Sequence, residues 1–324
     1  MKPKSFRQTS LVFAAVAGFT ISAPSANAAV RYWDPNSGGT FGSINNTTSW
    51  VPSLNIVWTG SNTGVTSRLA NYTTTFTDEC SWGGPVSALG GGTVPVGTVN
   101  AQNLNFNVIN GSGTVLLSGG TITLAAVTSV NASISTGVHT ISSTLAGGAT
   151  SLTKLGPGTI ILSGSNTFTG PTIVSAGTLN IGSNALASSA LDTTTSIVGA
   201  ASAGLKTTAT ALTLGGLTGT KDLASLFTTT AGGYNLVSAL TLNPGAAVTN
   251  TYPSVIADGA AGMALAKTGL GTQVLAGANT FTGATTLNGG TLTLDYSTQD
   301  NSKLADGAAV ARRHPEWRRP GADI

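Results

Sequence analysis

The chain has 324 residues; 8% are charged, 40% are apolar and 43 are glycine. A soluble helical enzyme needs Glu, Lys and Arg on its exposed faces, and a disordered chain lacks this apolar content, so both classes are excluded. The net charge of +3 sits in the termini, because the body between residues 29 and 311 carries seven basic residues against nine acidic ones. The basic isoelectric point therefore does not indicate a nucleic-acid partner, and the body has no basic patch with interleaved aromatics.

Residues 1–28 read as a secretory signal peptide. Lys2, Lys4 and Arg7 precede an apolar run at 11–21, and Ala26-Asn27-Ala28 is an A-x-A signal that puts the mature start at Ala29. The run is shorter than the ~20 residues of a helical span, so no transmembrane segment is expected in the mature chain. An uncleaved anchor or a buried strand is the competing reading.

Residues 29–100 read as an N-terminal cap region. Trp33, Trp50, Trp58 and Trp82 all fall here, and bulky aromatics cover the open core end of a solenoid. A sugar-binding face is the alternative, since tryptophan stacks on sugar rings. Cys80 is the single cysteine; it can form no internal disulfide and reads as a buried small residue.

From residue 101 to about 310 the chain reads as a β-solenoid. Leu104, Phe106 and Val108 alternate with Asn103, Asn105 and Asn107, and the stretches that follow are short strands bounded by Gly, Asn or Ser. Residues 183–240 are looser, and 184–192 is compatible with a short helix or a loop. Residues 311–324 form an atypical basic tail. Shifted by one base, codons compatible with this tail spell the Gly/Thr/Leu idiom of the body, so a frameshift and a truncated chain are expected.

The organising feature is a gapless repeat. Residues 152–181 and 265–294 match at sixteen of thirty positions, 113 residues apart. The structural positions are Gly156, Gly158, Leu162, Gly164, Asn166, Phe168, Gly170, Gly177 and Leu179, and in the second copy Gly269, Gly271, Leu275, Gly277, Asn279, Phe281, Gly283, Gly290 and Leu292. The leucines read as inward strand residues and the Asn-Thr-Phe-Thr-Gly segment as a bend. Stacked in register, Asn166 would join an Asn ladder. Gln273 stands opposite Ile160, which leaves two readings: an exposed position in both copies, or a locally irregular second copy. Lys154 and Lys267 read as solubilising edge charges.

The pattern L-x-K-x-G-x-G-T…L-x-G-x-N-T-F-T-G-x-T…G-T-L resembles the autotransporter-associated β-strand repeat, also called the passenger-associated transport repeat. The looser similarity runs from about 30 to 310. The resemblance implies an all-β, right-handed parallel β-helix with export to the cell surface and a passenger-like structural or adhesive role. It brings no catalytic residues. No stretch after 295 reads as the alternating strands of an outer-membrane barrel, so self-translocation is not expected.

No catalytic, cofactor or metal site is expected. The acids form no convincing pair for glycoside hydrolysis, and Asp78 and Glu79 are adjacent, so they point apart on a strand. His139 reads as a satisfied or solvent-facing strand residue. No G-x-S-x-G elbow and no phosphate loop is present. The leading reading is a non-enzymatic scaffold whose candidate partners are cell-surface polysaccharide or other surface proteins. The alternatives are a β-helix carbohydrate-active enzyme and a polysaccharide-binding module.

Overall fold

The computed structural model describes residues 29–33, 58–59, 78–82, 92–107, 113–201, 203–229, 233–297 and 311–312, with backbone alone at 29–33, 58–59, 78–79 and 311–312. The expected signal peptide, most of the expected cap and nearly all of the tail lie outside these residues.

Short strands stack coil upon coil into a parallel β-solenoid of about nine turns. The long sheet runs Trp58–Thr59, Ala29–Trp33, Asp78–Trp82, Asn103–Phe106, Val127–Ala132, Ser151–Leu155, Thr172–Val174, Leu186–Asp192, Ala211–Thr218, Ala239–Leu242, Ala264–Lys267, Thr285–Leu287 and Ala311–Arg312. Its pairings are parallel except the first, Trp58–Thr59 against Ala29–Trp33. A second sheet stacks Gly92–Pro95, Val115–Ser118, Val138–Ile141, Thr159–Leu162, Thr178–Ile181 and Gly204–Lys206. A third stacks Thr98–Ala101, Thr121–Leu124 and Thr144–Ala146, and a fourth stacks Thr249–Tyr252, Thr272–Leu275 and Thr291–Leu294.

Alternation sets which side chains enter the core. Most strands bury every second residue, as in Asn103–Phe106 and Thr121–Leu124. The buried set is dominated by Leu, Ile and Val, and each such side chain contributes about 1.5–3 kcal/mol through burial. The charge-poor composition follows from this plan: outward positions carry Thr, Ser, Ala and Asn, which suit a pleated surface or its turns.

Coil length is not uniform. Cys80 pairs with Leu104 and Val130 with Lys154, offsets of 24, whereas Leu152 pairs with Thr172 and Leu265 with Thr285, offsets of 20. The short coils are those of the repeat. Each thirty-residue copy therefore holds one full coil and the first half of the next.

One expectation fails in this region. Residues 186–192 form neither a helix nor a loop but a seven-residue strand, Leu186–Asp192, following a turn. Leu186, Ser189 and Leu191 point inward, and pairing to Ala211–Thr218 supplies the backbone partners that outweigh alanine's helix preference. A register shift between Leu186 and Ala190 accommodates the odd spacing.

Candidate functional site

The repeat coil is the chain's distinctive unit. In copy one, Leu152, Ile160, Leu162, Phe168, Val174, Leu179 and Ile181 are all buried. In copy two Leu265, Leu275, Phe281, Leu287 and Leu292 fill the equivalent positions. Ser151–Leu155 and Thr172–Val174 stack at one side of the coil, Thr159–Leu162 and Thr178–Ile181 at the other. Copy two repeats this register with Ala264–Lys267 on Thr285–Leu287 and Thr272–Leu275 on Thr291–Leu294.

The bend replaces a third strand. Asn166 Oδ1 accepts the Leu145 N–H at 2.8 Å, and the Thr167 N–H donates to the Leu145 carbonyl at 2.9 Å. Leu145 lies in the last strand of the third sheet, so the amide oxygen stands in for a backbone carbonyl and closes that sheet's edge. Asn166 Nδ2 donates onward to the Ala185 carbonyl at 2.9 Å. In copy two, Asn279 Oδ1 accepts the Ile256 N–H at 3.0 Å, and the Thr280 N–H donates to the Ile256 carbonyl at 2.9 Å. The expected Asn ladder is therefore corrected for Asn166: the side chain bridges backbone groups of neighbouring coils, because each bend presents free backbone to it.

The glycines serve two purposes. Gly156 and Gly269 have φ of 73° and 67°, and Gly177 and Gly290 have φ of 60° and 59°, so these corners sit in the left-handed region. Gly158, Gly164, Gly170, Gly271, Gly277 and Gly283 instead lie where a Cβ would fall within 2.3 Å of a carbonyl oxygen of the preceding coil.

The lysines contradict the reading as edge charges. Lys154 and Lys267 are 1% and 0% exposed. Lys154 Nζ donates to the carbonyls of Leu155 at 2.7 Å, Gly156 at 2.8 Å and Ala176 at 3.1 Å. Lys267 Nζ donates to the equivalent carbonyls of Thr268, Gly269 at 3.2 Å and Gly289 at 3.1 Å. An ammonium has three N–H donors, and here all are used. Burial lowers both groups to about 8, while the converging carbonyl dipoles favour the charged form. Alternation carried the missed signal: each lysine stands two residues after an inward leucine, on the same face of its strand.

Gln273 fits neither reading offered for it. Both Gln273 and Ile160 are fully buried. Gln273 Oε1 accepts the Leu217 N–H at 3.0 Å and Nε2 donates to the Leu217 carbonyl at 3.0 Å, across the coil interior.

His139 is also buried, not solvent-facing. Its ring stacks on Phe106 at 4.8 Å between centroids, and Phe106 stacks on Trp82 at 5.0 Å. The inward column runs Trp82, Phe106, Ala132. Alanine leaves room, which the imidazole fills from the facing sheet. Nδ1 accepts the Val115 N–H at 3.2 Å, while Nε2 has no hydrogen-bond partner. The histidine is thus only half satisfied. Burial, and then the charge of Lys154, lowers it to about 4.

Trp82 is fully buried, so it presents no exposed platform for a sugar; the side chains of Trp33, Trp50 and Trp58, the other tryptophans of the expected cap, lie outside the described residues. Cys80 is buried and forms no disulfide, as its setting indicated. Asp192, Asp222, Asp258 and Asp295 each accept a backbone N–H in a loop, from Thr194, Val255, Thr282 and Ser297. At Asp258 burial alone would raise the carboxyl, but hydrogen bonds from Thr282, Gly262 and Met263 hold it below the usual carboxylate range. Among the described residues no three His, Cys, Asp or Glu side chains gather as a metal site, and no helix is long and apolar enough to cross a membrane.

Fold and coil together define a parallel β-solenoid built around a duplicated, lysine-bearing short coil. Residues 152–181 and 265–294 match the family model described as passenger-associated-transport-repeat. Over 166 residues the chain is 34% identical to the Adhesin BmaC autotransporter of Brucella suis biovar 1 (strain 1330), which is 51% of this chain and 4% of that protein. No solved structure matches. The chain thus carries two segments that match the passenger-associated transport repeat, and it is similar over about half its length to an autotransporter adhesin.

Proposed function

We propose that the chain is an exported, non-enzymatic, passenger-like β-solenoid that serves as a cell-surface structural or adhesive scaffold. One observation carries this reading. The most distinctive residues of the chain, duplicated 113 positions apart, are spent on holding coil to coil: Lys154 and Lys267 on corner carbonyls, Asn166 and Asn279 on open backbone. The similarity to an adhesin autotransporter supports the surface role. The chain spans only 4% of that relative's length, so adhesion enters here as part of the proposal. Cell-surface polysaccharide and other surface proteins are the proposed partners. The proposal includes a signal peptide at 1–28, a cap at 29–100 and a frameshifted tail.

The test is expression from the native start codon, followed by N-terminal sequencing, protease treatment of intact cells and a cell-adhesion assay. Processing to Ala29, digestion from outside and increased adhesion are the expected results. A cytoplasmic protein with Met1 retained overturns the export reading, and unchanged adhesion of surface-exposed protein overturns the adhesive one. Reading the downstream nucleotides tests the frameshift: a shifted frame without Gly/Thr/Leu repeats ends it.

A further inference from the structure

The lysine contacts join two coils through a buried charge. Two of the three carbonyls around Lys154 Nζ, those of Leu155 and Gly156, belong to its own corner; the third, of Ala176, belongs to the next coil. Lys267 divides its contacts in the same way, with Gly289 in the next coil. Before that next coil docks, one ammonium donor faces solvent. Once it docks, water is shut out and the coordination is complete. A donor shut away from water without a partner is strongly destabilising, so the next coil docks only in the register that sets its carbonyl on the lysine.

We propose that the repeated lysine is a latch that fastens each repeat coil to the coil after it, so that the pair closes in one step and resists unwinding from the C-terminal side. Three further observations fit a latch. The inward column runs Val130, Lys154, Val174 in copy one and Leu242, Lys267, Leu287 in copy two, so each ammonium stem is packed between aliphatic neighbours. The contacted residue types differ between copies, Leu155 against Thr268 and Ala176 against Gly289, yet the contacts persist because they go to backbone. The left-handed Gly156 and Gly269 turn successive carbonyls toward a single Nζ. The latch also accounts for a repeat of one and a half coils: a shorter unit would hold the lysine without the carbonyl that completes its coordination.

Hydrogen exchange of the full chain at neutral pH tests this with Lys154→Met and Lys267→Met made separately. Methionine keeps the length and the burial but donates nothing. Lys267→Met is expected to raise exchange at least tenfold across 285–294, and less than threefold across 239–252. Lys154→Met is expected to do the same at 172–181 relative to 127–132. Equal increases on both sides, or none, overturn the latch. A second measurement uses the unmodified protein and so does not depend on the variants folding. Amine acylation of Lys267 is expected to track the opening of 285–294 and to run at least ten times slower than acylation of Lys206. Acylation of Lys267 while 285–294 stays protected overturns the proposal.

Discussion

At the scale of single residues, His139 shows how an imidazole can fill a core at a cost in acid. Its Nδ1 is already an acceptor, for the Val115 N–H, so protonation there breaks that bond and places a cation near Lys154. The folded group sits at about 4 against 6.5 for an unhindered histidine. Between these values the unfolded chain takes up a proton that the native chain refuses. Stability from this residue is therefore complete above pH 6.5 and is lost as the pH falls toward 4. At pH 4.5 the loss is expected to be about 2–3 kcal/mol. Urea midpoints at pH 7 and pH 4.5 check it. His139→Phe is expected to lower the midpoint at both pH values, through the unpaired Val115 N–H, and to shrink the difference between them by that amount. An unchanged difference refutes the assignment. The burial of His139 was legible, since it shares a strand face with Ile141; the stack was not, because Trp82, Phe106 and Ala132 reach it from other coils.

At the scale of the element, the repeat's glycines and leucines were legible because strand parity and turn chemistry are local. The roles of Asn166 and the lysines were not, because the Asn166 partners and the carbonyl that completes each lysine's set lie 19 to 22 residues away in other coils. Two substitutions separate these effects. Asn166→Ala leaves the Leu145 N–H and the Ala185 carbonyl without their partner, an expected loss of about 2–4 kcal/mol. Denaturant unfolding of the full chain measures it, and a change below 1 kcal/mol would show that water replaces the amide at the sheet edge. Gly177→Ala meets a left-handed φ of 60° and a Cβ position 2.4 Å from the Gly156 and Gly158 carbonyls. The conformation alone costs about 1–2 kcal/mol, and the clash adds to it. Gly148→Ala, where a Cβ meets nothing within 4 Å, is the control and should stay within about 0.5 kcal/mol.

At the scale of the whole molecule, the solenoid changes its second wall partway along. The sheet that ends at Gly204–Lys206 is replaced by the one that begins at Thr249–Tyr252, and short 3-10 helices at Leu223–Leu226 and Tyr234–Leu236 occupy the gap. In a solenoid each coil contacts mainly its neighbours, so such a break is where cooperativity fails first. The long sheet runs through unbroken, and three side-chain amides add ties across the junction. Gln273 binds both backbone groups of Leu217, Asn250 Nδ2 donates to the Gly215 carbonyl at 3.2 Å, and Asn243 Nδ2 donates to the Ala187 carbonyl at 3.0 Å. Gly216 makes room for this, since a Cβ there would lie 1.9 Å from Asn250 Nδ2. Pairing to Asn250 in the fourth sheet fixes Gln273 at the crossing. These ties predict one unfolding transition for the native chain. Gln273→Ala removes the two hydrogen bonds to Leu217 and opens a cavity beside Asn250, at an expected cost of about 2–4 kcal/mol. Because the cost falls on the junction, the unfolding endotherm should split, with the C-terminal coils melting first. Calorimetry, with hydrogen exchange at 285–294 read beside that at 103–106, distinguishes the outcomes. A single transition shifted intact to lower temperature would mean that the long sheet alone couples the two halves.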